Sequence, residues 1–223
     1  MMKATQVSEH IWSLSTWMLF PIRVWIVVDQ EGVTLIDAGI PSMAKGILQF
    51  IDQLGKGPLK RILLTHGHSD HVGAVTRIVQ ARPVPVYVHE IEMPFMEGKL
   101  AYPRRKKAGV SLAQGIAEPL QIDGQHQLDR VSGLIPYLTP GHSPGHVIYY
   151  HDEDQVLLAG DLFTSKKGRL NRPMPMFTAD MQEAVKSGEI VNRLQPKVLE
   201  VAHGGPVHAP AEQWSSYFAK MTK

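Results

Sequence analysis

"LLTHGHSDHVGA", residues 63–74, sets three histidines and an aspartate within six positions, between an apolar run and what reads as the start of a helix. His66 and His68 alternate along extended backbone after Leu64, so both imidazoles leave the same side of the chain as the strand ends. Asp70 and His71 open the following helix and project in another direction, with Asp70 also placed as an N-cap. One short junction thereby presents ligand-type side chains to two neighbouring points. An isolated histidine is ordinarily a hydrogen-bonded structural residue, whereas four ligand-type residues crowded at a strand end point to bound metal.

Outward from this junction, apolar runs rich in β-branched residues read as strands at 24–28, 33–36, 62–64, 84–88, 147–150 and 156–159. Apolar residues at helical spacing (Ile47, Leu48, Ile51, Leu54) predict a helix over 41–55, and the same pattern predicts one over 70–82. Further helices are expected over 180–194 and 209–221. This order suits sheets covered by helices and excludes an all-helical bundle. Residues 93–115, "MPFMEGKLAYPRRKKAGVSLAQG", show no periodicity and carry prolines at 94 and 103. So long an irregular stretch inside a compact chain predicts a substrate-facing lid within a single domain spanning 1–223.

Of the 223 residues, 43% are hydrophobic and 20% charged, which is ordinary for a globular protein large enough to bury its own core. The chain has no cysteine. Disulfides and thiolate metal sites are therefore excluded, and a transition-metal site must be built from imidazole and carboxylate. No uncharged apolar run reaches the roughly 18 residues of a spanning helix, and the N-terminal segment has no cleavable export signal, so a cytoplasmic protein without a membrane partner is expected. A formal charge of +2 is too small a footprint for nucleic acid. The one dense basic cluster, "RRKK" at 104–107, reads as a solvated loop or as the part of the lid that meets an anionic substrate.

More ligands are needed, and other strand ends offer them: His142 in "TPGHSPGH", Asp161 in "AGD" and His203 in "AHGG", each after an apolar run and beside glycine or proline. With "THGHSDH", this ordered set resembles the metallo-β-lactamase superfamily of hydrolases over nearly the whole chain. The resemblance implies a four-layer αββα sandwich with its site at one edge between the sheets. It also implies two divalent metal ions, with zinc favoured and iron or manganese as alternatives. His66, His68 and His142 would hold the first ion, Asp70, His71 and His203 the second, and Asp161 would bridge them. His146 competes with His142, and His208 with His203; the family pattern favours the first of each pair. Asp37, in "LIDAG", matches a family position that orients a ligand histidine. His10, His89, His126 and His151 have no motif context and read as structural or surface residues.

Two adjacent dications lower the pKa of a water between them from about 15.7 toward about 7 and polarise a carbonyl. The expected reaction is hydrolysis of a small-molecule ester, lactone or thioester by a metal-bridging hydroxide, with Asp70 as the catalytic group that orients the water or shuttles its proton. Several branches fit less well. The commonest β-lactamase type uses a cysteine ligand, and glyoxalase II continues into a C-terminal helical domain where this chain ends about 20 residues past "AHGG". Homoserine-lactone lactonases match in length and ligand order but carry a tyrosine three residues after the bridging aspartate, where this chain has Thr164. Tyr102 is the available substitute. A phosphodiesterase or nuclease, a mononuclear-iron persulfide dioxygenase and a non-catalytic interaction module are the remaining alternatives. Oligomeric state is not encoded in any pattern of this chain.

Overall fold

A computed structural model describes residues 2–123 and 127–222; His126 lies outside them. Seven strands form the first sheet in sequential order: β1 (Lys3–Gln6), β2 (Ile11–Trp17), β3 (Pro21–Asp29), β4 (Gly32–Ile36), β5 (Leu59–Leu63), β6 (Val86–Val88) and β7 (Glu118–Pro119). Its first half is an antiparallel meander, and β4 to β7 run parallel. The second sheet follows β8 (Leu134–Leu138), β9 (Val147–His151) and β10 (Val156–Leu158). A two-stranded ribbon, β11 (Thr164–Lys166) with β12 (Arg169–Asn171), precedes its last members, β13 (Val198–Glu200) and β14 (Val207–His208). The sheet order is β14-β13-β10-β9-β8.

The two-residue alternation of strands sorts the core into three layers. On β3, Val24 and Ile26 face one way, into a cluster with Ile47, Ile51, Val75 and Ile78 from helices. Trp25 and Val27 face the other way and meet Val147, Tyr149, Val156 and Leu158 of the second sheet. On that sheet Ile148, Tyr150 and Leu157 turn outward onto Val185, Val191, Trp214 and Tyr217. Helix, sheet, sheet and helix thus share three apolar interfaces, the αββα sandwich expected. Burial of each large aliphatic or aromatic side chain in such an interface stabilises by about 1.5–3 kcal/mol. Trp25, fully buried between the sheets, satisfies its indole N–H on Glu200 Oε2 at 3.1 Å.

The helices depart from the expected boundaries for identifiable reasons. The segment 41–55 opens with a 3-10 turn and becomes α1 (Ala44–Leu54). The helix expected over 70–82 is two: α2 (Ser69–Val72) and α3 (Val75–Ala81). It breaks because the His71 carbonyl accepts from Ala38 and Gly39 N–H at 2.7 and 3.1 Å, while Ala74 N–H goes to Gly39 O. Tertiary bonds to the turn after β4 replace the helical ladder. Asp70 consequently does not cap: His68 is the N-cap, and Asp70 sits in the first turn with its carboxylate free to point elsewhere. The segment 93–115 is not wholly irregular. It contains α4 (Met93–Met96) and a bridge between Glu97 and Val110, and Met96 and Leu112 join the first core. The segment 180–194 divides into α5 (Met181–Ser187) and α6 (Ile190–Leu194), and α7 spans Pro210–Met221. Among the described residues no helix is long and apolar enough to cross a membrane.

Candidate metal centre

Chain segments that leave β4, β5, β6, β10 and β13, together with the β8–β9 connection, converge at one edge of the sandwich, where polar side chains leave the apolar layers. Glycine permits the approach at two points. Gly160 has φ +50°, and a side chain there would press on Thr65 and His146 at 2.9 Å. A Cβ on Gly67 would lie 2.4 Å from Met96 and 2.5 Å from the Tyr102 hydroxyl.

The seven residues singled out from sequence are brought together. His66 Nε2 lies 3.0 Å from His68 Nδ1, which lies 3.1 Å from His142 Nε2. Imidazole nitrogens about 2.0–2.1 Å from one tetrahedral cation lie roughly 3.3 Å apart; two sides of this triangle are close to that spacing, and all three atoms lie within 4.8 Å of one another. A second group is formed by Asp70, His71 and His203, with His203 Nε2 at 3.2 Å and His71 Nε2 at 3.9 Å from Asp70 Oδ2. Asp161 stands between the groups. Its Oδ2 is 3.3 Å from His142 Nε2, and its Oδ1 is 3.3 Å from His203 Nε2 and 3.6 Å from His71 Nε2.

The rings are held from behind. His71 Nδ1 is 2.7 Å from Asp37 Oδ2, and the Asp37 carboxylate also accepts from Thr65 N–H and Thr65 Oγ1, both at 2.8 Å. His203 Nδ1 donates to the Pro21 carbonyl at 2.9 Å. These contacts fix tautomers that leave Nε2 of both rings aimed into the cluster. His146 is not an equivalent of His142: its Nδ1 pairs with Thr139 Oγ1 at 2.9 Å, and its Nε2 accepts the Asp161 backbone N–H at 3.1 Å. It positions Asp161. His208 lies on β14, exposed, and outside the cluster.

The charges show what the cluster lacks. Burial keeps His66 and His142 well below the usual imidazole pKa, and lowers His68 to about 4, so their lone pairs are free. Burial opposes charge on His71 as well, but the carboxylates of Asp37, Asp161 and Asp70 outweigh it and lift the ring to about 9. His203 is lifted to about 11 against burial, chiefly by Asp161 and Asp70. Burial also disfavours charge on Asp70, yet His71 and His203 hold it at about 2. The carboxylates thus call for positive charge among them, which divalent cations supply. Among the described residues, the buried side-chain atoms without a hydrogen-bond partner are His71 Nε2, Asp161 Oδ1, His203 Nε2 and the Tyr217 hydroxyl. Three of these four point into the cluster, and buried polar atoms seldom remain unpaired, so this donor set fits metal ions.

Sequence reasoning missed Glu92. Its fully buried carboxylate accepts from Gly67 N–H (2.9 Å), Tyr102 OH (2.7 Å), Ser143 Oγ (2.9 Å) and Gly145 N–H (2.8 Å). Burial raises its pKa against the pull of those donors. Glu92 thereby ties the loop of His66 and His68 to the loop of His142. The only signal was an acid in "HEIEMP", just beyond β6. Tyr102 lies edge-on to His68 with ring centroids 4.8 Å apart, but its hydroxyl is spent on Glu92. Thr164 faces away, donating to Arg172 O at 2.8 Å. Away from this edge, His10 and His151 gather with Asp154.

Residues 17–205 match the profile of the metallo-beta-lactamase superfamily. The chain belongs to that superfamily. It is 34% identical over 223 residues to the probable metallo-hydrolase YybB of Bacillus subtilis, covering 98% of this chain and 99% of YybB. It is 30% identical over 161 residues to a hydroxyacylglutathione hydrolase of Ectopseudomonas mendocina, covering 68% of this chain and 51% of that one. Among solved structures, TTHA1623 in a di-iron-bound form superposes with a TM-score of 0.67 at 30% identity, over 88% of this chain and 94% of TTHA1623. Membership in this metallo-hydrolase superfamily, the αββα fold and a cluster able to bind metal therefore agree.

Proposed function

We propose that this protein, read as one domain over 1–223, hydrolyses a small-molecule ester, lactone or thioester at a centre of two divalent cations, zinc by preference. The observation that carries the reading is Asp161, whose two oxygens face two separate sets of ligand atoms 3.3–3.6 Å away. His66, His68 and His142 would hold one ion and Asp70, His71 and His203 the other, with Asp161 shared. Two ions so held would supply Lewis acidity toward a carbonyl and would favour ionisation of water at neutral pH. The remaining chemistry belongs to the chain. Asp37 and the Pro21 carbonyl keep His71 and His203 turned toward the centre, and His146 keeps Asp161 there. Asp70 is the proposed proton carrier: its side chain is 23% exposed against 6% for Asp161, and it lines an open cavity.

Substrate size and character follow from two cavities, of about 250 and 280 Å³, that both reach His68. Phe20, Met18, Met174 and Phe177 line the second one, which suits an apolar acyl chain or ring. The thioester arm of the proposal is supported by the hydroxyacylglutathione hydrolase relative. Iron is the alternative metal because TTHA1623, 30% identical, binds two irons. A nucleic-acid substrate is disfavoured by the charge of +2.

The test is a panel on protein reconstituted with zinc or iron: an acyl-homoserine lactone, a glutathione thioester, a chromogenic cephalosporin and a bis-nitrophenyl phosphate diester. Turnover of the lactone or thioester above the others is expected. Turnover of the diester alone would move the protein to phosphoryl chemistry, and thiol-dependent oxygen uptake with one iron per chain would make it an oxygenase.

A further inference from the structure

The two arginines that open the basic run do different things. Arg104, with φ +66°, donates from Nη1 to the carbonyls of Pro175 (2.9 Å) and Thr178 (2.7 Å). Thr178 Oγ1 is in turn 3.3 Å from His142 Nδ1. Arg104 is therefore a clasp between the 93–115 segment and the segment beside His142. The turn that follows is closed by Arg105 N–H to Tyr102 O at 2.9 Å, and Tyr102 is itself anchored on Glu92. Arg105 consequently projects from backbone pinned on both sides.

Its guanidinium lies over the Phe177 ring, 5.8 Å from the centroid, and among the described residues it has no carboxylate or hydrogen-bond partner. Arg105 lines both cavities that reach His68. The first cavity contains Arg104 and Arg105 and no carboxylate, whereas the second has the apolar wall of Met18, Leu19, Phe20 and Met174. The contact with Phe177 already limits the rotamers of Arg105, so its planar guanidinium fork can pair with a planar anion at a reduced ordering cost.

We infer that Arg105 determines substrate specificity by pairing with a carboxylate of the substrate in the first cavity, while the apolar arm lies in the second; this rests on the acyl hydrolysis proposed above. The scissile group then sits where the cavities meet, at His68. The same pinned turn makes this an open, fixed recognition site, so discrimination falls on charge more than on shape.

Two matched pairs of probes test it on the metal-loaded protein. The first is the S-hexanoyl thioester of 3-mercaptopropionate against that of 3-mercaptopropionamide, compared by kcat/KM. The second is the uncleavable pair 3-(hexylthio)propionate and 3-(hexylthio)propionamide, compared by calorimetric Kd. The carboxylate is expected to be favoured about fivefold or more in both pairs, as for a partly exposed charge-assisted pair. In Arg105→Gln the ratio should fall to about one, and in Arg105→Lys it should recover in part, because the bidentate fork is lost. Higher salt should shrink the wild-type ratio. If the thioesters are cleaved without preference, or the preference survives in Arg105→Gln, the inference is overturned while hydrolysis stands. If neither thioester is cleaved but the thioethers keep an Arg105-dependent preference, acyl hydrolysis fails and the role of Arg105 stands.

Discussion

Two gatherings of histidine and aspartate lie at separate places in this molecule, and they differ in where their lone pairs go. Around Asp154, which joins the turn before β2 to the turn after β9, each oxygen has a donor. Oδ1 pairs with His10 Nδ1 at 2.8 Å, and Oδ2 accepts from His10 N–H at 3.1 Å and from Ser8 Oγ. His151 Nδ1 accepts the Asp154 N–H at 3.2 Å. Around Asp161, by contrast, the protein spends the outer atoms, with His71 Nδ1 on Asp37 and His203 Nδ1 on Pro21 O, and leaves the inner ones unpaired. Residue types alone therefore do not mark a metal site. Buried polar atoms converging without hydrogen-bond partners do, because leaving each one unpaired costs about 1–3 kcal/mol.

Removing the two carboxylates in turn should separate the clusters. Asp161→Ala takes away the carboxylate whose two oxygens face both proposed ligand sets. Turnover and metal affinity are expected to fall by at least about 100-fold, the upper range for loss of even an outer partner of a ligand. Asp154→Ala should retain its metal content. Plasma mass spectrometry of dialysed protein reads both, and equal metal loss in the two variants would erase the distinction.

Glu92 sharpens it from the stability side. Glu92→Ala leaves three buried donors and the part-buried Tyr102 hydroxyl around an empty space, so a loss of about 3 kcal/mol or more is expected in denaturant unfolding of metal-free protein. A change under about 1 kcal/mol would mean that the loops of His66, His68 and His142 are held by other contacts.

A smaller effect, with a defined pH sense, is expected at Asp154. Its hydrogen bond to His10 raises the His10 pKa, and donors from Ser8 and His10 lower that of Asp154 despite burial. The raised His10 contributes stability that is full below its unfolded pKa and fades as pH rises through its folded value. The lowered Asp154 contributes stability that is full above its unfolded pKa and fades as pH falls through its folded value. The contact is thus strongest between the two, in mildly acidic solution. Asp154→Asn should cost about 1 kcal/mol there and less at pH about 8, measured by urea unfolding. A cost that grows toward alkaline pH would contradict the assignment.

Much of the fold was legible because strand and helix periods are written directly in apolar residues. Runs such as 24–28 and 147–150 lie in β3 and β9, and the residues that gather around Asp161 could be singled out because imidazoles and carboxylates recur at strand ends beside glycine. What was not legible depends on contacts between distant segments. The break between α2 and α3 comes from bonds to Ala38 and Gly39, and β2, "IWSLSTW", is too polar on one face to stand out before its partner β3 is known. Glu92 is silent in sequence because its four donors come from three other segments. The basic run looked uniform, yet its first arginine is committed to carbonyls and its second is free.

The most direct test of the central claim is an anomalous difference map from zinc-loaded crystals. Two peaks about 3.5–4 Å apart are expected, one among His66, His68 and His142, the other among Asp70, His71 and His203, each about 2.0–2.2 Å from an oxygen of Asp161. A map with no peak beside Asp161, or with its strongest peak among His10, His151 and Asp154, would contradict the account.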